Sequence, residues 1–191
     1  LEGVLTRAWG KDWQRLFAEF SWQPLAAASI GQVHRATTLD GRHLALKIQY
    51  PGVARSIDSD VDNVAALLRL ARLLPEAIDL APLLDEAKRQ LKAEADYVKE
   101  AGYLRRFGEL LAGDADFVVP AVDEALTRRE VLAMDYVPGL PVERMDVAAQ
   151  PVRDRIAELM FRLLFREMFE FRLVQTDPNF ANYRYDEASG R

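Results

Sequence analysis

Lys47 stands inside an otherwise apolar run, Leu44-Ala45-Leu46-Lys47-Ile48, where strand alternation puts it on the same face as Ala45. Far along the chain, Asp177 and Asn182 sit five positions apart in Gln175-Thr176-Asp177-Pro178-Asn179-Phe180-Ala181-Asn182. An ammonium that grips phosphates, a carboxylate that aligns the attacking group and an amide oxygen that ligates magnesium are components of a phosphoryl-transfer site. A third set, Glu94, Asp96 and Glu100, falls within Lys92-Ala93-Glu94-Ala95-Asp96-Tyr97-Val98-Lys99-Glu100-Ala101. On one helix, Asp96 and Glu100 share a face and repel by roughly 0.2–0.5 kcal/mol, so a cation opposite them is expected. Lys47 is a candidate for that cation, with Glu100 its ion-pair partner.

Each feature also has an ordinary structural explanation. A lone strand lysine is usually solvated, the acidic helix face can be relieved by Lys92 and Lys99, and Asp-Pro-Asn is a common turn former. The position of Asp177 and Asn182 just after a long helix and a short strand favours the catalytic reading. Ahead of the Lys47 strand lies Pro24-Leu25-Ala26-Ala27-Ala28-Ser29-Ile30-Gly31-Gln32-Val33-His34. Ala26, Ala27, Ala28 and Ser29 occupy the place where a kinase carries its glycine-rich phosphate loop. Alanine gives up the positive φ angles that glycine allows, so the turn is stiffer, and a plain packing turn stays open as the alternative. His34 and His43 have no metal-like partner at suitable spacing and read as structural, as do Trp9, Trp13 and Trp22.

These residues need elements to hold them. Leu1 to Phe20 carries apolar residues at helical spacing with a break at Gly10, which predicts two short helices. Gln32–Thr38 and Arg42–Tyr50 around Asp40-Gly41 predict a hairpin. Ile57–Leu74, stopped by Pro75, and Pro82–Leu111 predict two long helices. Val118–Val122 and Glu130–Tyr136 read as strands around an Ala125–Arg129 turn, and Pro138-Gly139 as a crossing between lobes. Pro151–Phe171 reads as a helix with proline at its tolerant start. Leu173–Gln175 and Tyr183–Tyr185 read as short strands flanking a loop at Asp177–Asn182.

The 191 residues, 50% hydrophobic and 29% charged, suffice for a buried core in one domain or two small lobes. A net charge of −5 argues against a nucleic-acid backbone as partner. The chain has no cysteine, which removes disulfides and thiolate metal sites and permits a reducing, intracellular compartment. No run approaches the roughly 20 apolar residues of a membrane span, so any membrane association within these residues is expected to be peripheral. Arginine far outnumbers lysine, a skew that favours a GC-rich bacterial source.

Taken together, the motifs resemble the UbiB/ADCK family of atypical kinase-like proteins, linked to coenzyme Q (ubiquinone) biosynthesis. The resemblance rests on Ala26 to His34, on Lys47-Ile48-Gln49-Tyr50-Pro51-Gly52-Val53, on Glu94-x-Asp96-Tyr97 leading to Glu100, and on Gln175-Thr176-Asp177-Pro178-Asn179. The Gln-Thr-Asp-Pro-Asn form is similar to that of the mitochondrial-type coenzyme Q kinases and their bacterial relatives. The resemblance implies an α+β, protein-kinase-like two-lobed fold. It divides the chain into a helical segment (1–21), an N-lobe with a helical insertion (22–137, insertion about 56–112) and the start of a C-lobe (138–191).

It further implies ATP and Mg2+ as cofactors. Lys47, Glu100 and Asp177 would be catalytic, Ala26, Ala27, Ala28, Ser29, Lys47, Glu94 and Asp96 would face the nucleotide, and Asn182 would ligate metal. The implied function is an atypical kinase or ATPase supporting ubiquinone biosynthesis; the alternative is an inactive nucleotide-binding scaffold of a quinone-biosynthesis complex. Quinone-biosynthesis enzymes and prenyl-phenol or lipid ligands are the implied partners. The implied location is the bacterial cytoplasm at the inner-membrane surface, or the mitochondrial matrix in a eukaryote. The family's Lys-x-Gly-Gln helix and Asp-Phe-Gly segment do not occur in these 191 residues. The resemblance therefore implies weak or absent ATP turnover by this chain alone, and clear magnesium-dependent hydrolysis by it would contradict that.

Overall fold

The computed structural model describes residues 1–70, 81–175 and 179–191. The chain divides into two compact units, 1–105 with 121–135 and 106–120 with 136–191.

The first unit is organised by two neighbouring strands that share one wholly apolar face. In β4 (His43–Gln49), Leu44, Leu46 and Ile48 are fully buried, and Val131 and Ala133 of β5 (Val131–Asp135) join them. Val4 and Leu5 of α1 (Glu2–Trp9), with Trp13 and Phe17, close this side of the sheet. Burying a Leu or Ile side chain contributes roughly 1.5–3 kcal/mol, so this cluster is the main stabilising mass of the unit. The opposite face carries Leu132, directly across from Lys47 in the β4–β5 register, packed with Tyr97 and Ala101 of α4 (Tyr97–Leu110). Because residues opposite one another in a ladder share a face, Lys47 is turned toward α4 rather than toward the large core.

The sheet runs β1-β3-β4-β5, antiparallel throughout. Two short strands share one edge of β3 (Gly31–Thr38): β1 (Phe17–Phe20) pairs its far half and β2 (Ala26–Ala28) its near half. Between them the Ser21 N–H donates to the Arg35 carbonyl at 2.9 Å and the Leu25 N–H to Val33 at 2.7 Å. Pro24 has no N–H to offer, and the pairing with β3 is interrupted between Phe20 and Ala26. The alanine-rich segment is thus a strand joined to β3 by a Ser29-Ile30 turn, not the free turn expected over Ala26 to Ser29. Small side chains in an extended ladder leave no reason for a loop.

Other expectations are corrected as well. The second N-terminal helix shrinks to a 3-10 turn, Trp13–Leu16, because Phe17–Phe20 is drawn into the sheet. α2 (Val53–Leu70) starts earlier than expected, and 71–80, with Pro75, lie outside the described residues. The long helix expected over Pro82–Leu111 is two helices, α3 (Ala81–Glu94) and α4, broken at Ala95-Asp96. The Asp96 carboxylate accepts the Val98 N–H at 3.2 Å, capping a fresh helix start. Instead of repelling Glu100 along one face, Asp96 faces the positive end of α4. The strand expected over Val118–Val122 reduces to one bridge between Val122 and Met134.

In the second unit α5 (Gln150–Phe165) begins with proline in its first turn and continues as a π-helical segment, Arg166–Phe171. Arg172 ends it in the left-handed region, at φ 54°. Ile156, Leu159, Met145 and Tyr185 form its buried cluster, while Asp116 pairs with Arg155 and Arg162, and Asp114 with Arg166. β6 (Leu140–Pro141) pairs with β7 (Arg184–Tyr185). The short strand expected over Leu173–Gln175 does not form: the Leu173 N–H is taken by the Glu167 carbonyl and the Gln175 N–H by the Glu167 carboxylate.

Gly31 closes the alanine hairpin where three elements meet. A Cβ there would lie 2.3 Å from the Ile48 carbonyl oxygen and 3.1 Å from the Tyr97 hydroxyl. Gly31→Ala should therefore destabilise the protein by about 1–3 kcal/mol through overpacking against backbone. Urea unfolding checks this; an unchanged midpoint would show that β3 and β4 can part at this point without cost.

Candidate functional site

Lys47 donates to both carboxylate oxygens of Glu100, at 2.7 and 2.9 Å. Its ammonium also lies 4.9 Å from the centroid of the Tyr97 ring, over the face of the aromatic π-system. The side chains of Lys47 and Glu100 are 22% and 41% exposed. A pair this open contributes only about 0–1 kcal/mol to stability, so stability alone gives little reason for it. Its effect is geometric: one charged head is held at a fixed place, in reach of solvent and solutes.

Gln49 explains why Glu100 arrives there. Two residues beyond Lys47 on the same strand face, its buried amide donates to the Ala95 carbonyl at 2.8 Å and to Arg129 at 3.4 Å. The Tyr97 N–H donates to the same Arg129 carbonyl at 3.1 Å. The break between α3 and α4 is therefore bound to the end of β4, and Glu100, one turn into α4, is delivered to Lys47. Sequence reasoning assigned Gln49 no role. The available signal was an amide side chain at the end of a strand with apolar Leu46 and Ile48 on its other face; once buried, such an amide demands a partner.

Tyr97 is the other residue that reasoning passed over. It is fully buried beneath the first residue of β3, and its hydroxyl has no hydrogen-bond partner among the described residues. Burial pushes the phenol's pKa upward, with the nearby Glu100 charge adding to the shift. The ring therefore stays neutral under the Lys47 ammonium.

The remaining candidate residues are placed as follows. Ala26 and Ala27 are exposed in β2, Ala28 is half-buried and Ser29 is exposed in the turn. Glu94 is exposed at the last position of α3, while Asp96 caps α4 with Arg129 Nε 3.9 Å away. Lys47 pairs with Glu100, not with either of these acids. In the second unit Asn182 is exposed at the end of a 3-10 turn, Phe180–Asn182, in which the Asn179 side chain accepts the Ala181 N–H at 3.0 Å. Asp177 lies outside the described residues. Among the described residues no group of three His, Asp or Glu gathers as a metal cage. A single amide oxygen such as that of Asn182 suits Mg2+ only when most of the ion's ligands are phosphate oxygens and water.

A strand lysine held by a carboxylate from a following helix, in a sheet that also carries a small-residue hairpin, is kinase-like geometry, and the comparisons agree. The ABC1 atypical kinase-like domain matches residues 1–190. The chain belongs to the ABC1 atypical kinase-like family. Its similar relatives include the Rattus norvegicus mitochondrial atypical kinase COQ8B, 46% identical over 97% of this chain and 35% of the relative. The Saccharomyces cerevisiae mitochondrial atypical kinase COQ8 is 39% identical over 97% of this chain and 37% of its own length. The solved structure of Rv3197 from Mycobacterium tuberculosis, in complex with erythromycin, superposes with a TM-score of 0.83. It is 29% identical and covers 99% of this chain and 48% of its own. The chain thus spans about a third of the length of these curated ABC1 relatives and has the mixed α+β, kinase-like fold.

The unpartnered Tyr97 hydroxyl leads to a direct test. Tyr97→Phe keeps the ring beneath Lys47 and removes a buried group that lacks a partner, so it should stabilise the protein by about 1 kcal/mol. Thermal unfolding measures it. A loss of stability would mean that the hydroxyl is hydrogen-bonded in solution.

Proposed function

We propose that this chain carries the nucleotide-gripping part of an ATP-binding atypical kinase or ATPase that supports ubiquinone (coenzyme Q) biosynthesis. The observation that carries the proposal is the two-pronged contact from Lys47 to Glu100. It supports a preset ammonium for the phosphates of the substrate, magnesium-bound ATP. In this reading the hairpin at Ala26–Ser29 covers the nucleotide. Asp177 aligns the attacking group, Asn182 contributes an oxygen to the magnesium that enters with ATP, and Glu94 and Asp96 belong to the nucleotide's surroundings. Residues 22–137 act as the N-lobe, with the insertion at about 56–112, and 138–191 as the start of the C-lobe.

The order of events follows from what the chain's own groups can do. Lys47 is already turned out of the core and pinned, so it meets phosphate without losing side-chain freedom at that moment. Glu100 keeps it from swinging away, and Tyr97 fills the space beneath it with a neutral ring. Phosphoryl transfer goes to an acceptor, or to water in the ATPase case.

The mitochondrial names of the relatives support a place in the matrix for a eukaryotic source, and the bacterial equivalent is the cytoplasmic face of the inner membrane. Among the described residues no helix is long and apolar enough to cross a membrane. Peripheral association, with quinone-biosynthesis enzymes and prenyl-phenol or lipid ligands as partners, completes the proposal.

Calorimetric titration with Mg-ATP tests it. Lys47→Ala removes a charge-assisted phosphate contact and should weaken binding about tenfold or more, because hydrogen bonds to charged groups contribute roughly 1.5–3 kcal/mol. Equal affinities would remove Lys47 from the site. No detectable Mg-ATP binding by the wild type would remove the proposed function itself.

A further inference from the structure

The second unit contains a buried carboxylate that the proposed chemistry does not use. Glu167 is 3% exposed, inside the π-helical segment Arg166–Phe171. Burial pushes its carboxyl pKa upward, and the hydrogen bond from Gln175 opposes that shift. A buried acid with an expensive environment needs a structural or functional reason.

Three hydrogen bonds end on this one residue. Its backbone carbonyl accepts the N–H groups of Arg172 and, at 3.1 Å, Leu173. Its carboxylate accepts the Gln175 N–H at 2.9 Å. The turn so held contains Arg172, the one described non-glycine residue with positive φ, a conformation that persists only when its surroundings enforce it. Beyond the turn, the Tyr183 hydroxyl donates to the Gln175 side-chain carbonyl at 2.6 Å. The Tyr183 carbonyl in turn accepts the Val142 N–H at 3.0 Å. Gln175 and Tyr183 therefore sit at the two ends of the stretch to which sequence assigns Asp177 and Asn182, and one hydrogen bond ties those ends together.

We propose that Glu167, Gln175 and Tyr183 form a clamp that ties the exit of the π-helical segment, at Gln175, to Tyr183, with Glu167 and Tyr183 acting as positioning residues for phosphoryl transfer. Neither touches the reacting atoms. Glu167 fixes where the chain leaves the helix, and Tyr183 fixes where it returns, one residue after Asn182. The catalytic half of the clamp rests on the proposed function; the mechanical half does not.

The test therefore uses two readouts on the protein and on its Glu167→Leu, Glu167→Gln and Tyr183→Phe variants. Amide hydrogen exchange over 172–175 and 179–185 reports the clamp directly. Glu167→Leu and Tyr183→Phe should each speed exchange there by about tenfold, the effect of losing one hydrogen bond. Glu167→Gln, which keeps an acceptor oxygen, should restore most of the protection. ATP turnover should fall in kcat by a similar factor, with the KM for ATP unchanged, because Lys47 and its surroundings are untouched.

Wild-type exchange in Tyr183→Phe overturns the clamp even if Glu167→Leu fails to fold. Faster exchange with unchanged kcat overturns the positioning role. If the wild type neither binds nor turns over Mg-ATP, the proposed function fails, while exchange still decides whether the clamp exists.

Discussion

The arrangement of the first unit follows from the conflict within β4, which must bury Leu44, Leu46 and Ile48 on one face while presenting an ammonium on the other. An unpaired lysine there would be pulled outward by its hydration and would have no fixed place. Glu100 resolves the conflict, but only if α4 begins at the right height over the sheet. That height is set by Gln49, whose buried amide holds the Ala95 carbonyl at the junction of the two helices. Strand face, helix break and ion pair are thus one connected constraint, and Asp96 supplies the cap that lets the second helix start without a long run-in.

Much of this was legible in the residues. Alternation around Lys47 located the strand and its hairpin partner because the period of two is a strong signal when one face is wholly apolar. The joining of Lys47 to Glu100 is a contact between distant positions, and the four-residue spacing of Asp96 and Glu100, which calls for a cation opposite them, brought it into view together with the motif resemblance. The helix break at Ala95-Asp96 was hidden because good helix formers flank it on both sides, Lys92 to Ala95 and Lys99 to Ala101, and the apolar spacing runs on across it. What breaks the helix is a tertiary hydrogen bond from Gln49, which no window along the chain contains. Phe17–Phe20 misled in the same manner: its spacing suits a helix, but the open edge of β3 draws it into the sheet.

The second unit was harder to read from sequence. Leu173–Gln175 looks like a strand because it is apolar and follows a helix, yet its N–H groups are taken by a single glutamate eight residues or fewer upstream. Glu167 itself carries no pattern that separates it from Glu170 in the same run, since burial, not type, sets them apart. The Asp114 and Asp116 pairs with Arg155, Arg162 and Arg166 are equally invisible in sequence, being brought together by the packing of 113–117 on α5.

The aromatic cluster near the N-terminus has a further consequence. Trp9, Trp13 and Trp22 are the only tryptophans in the chain, and all three lie in the first unit, in contact with Phe17 and Phe20 at centroid separations of 5.0–6.5 Å. The tryptophan emission of the protein is therefore blind to the second unit. A denaturation curve followed at tryptophan wavelengths records the melting of the sheet that carries Lys47, whereas helical circular dichroism sums over both units. Any gap between the two traces measures how far one unit can lose its structure while the other keeps it.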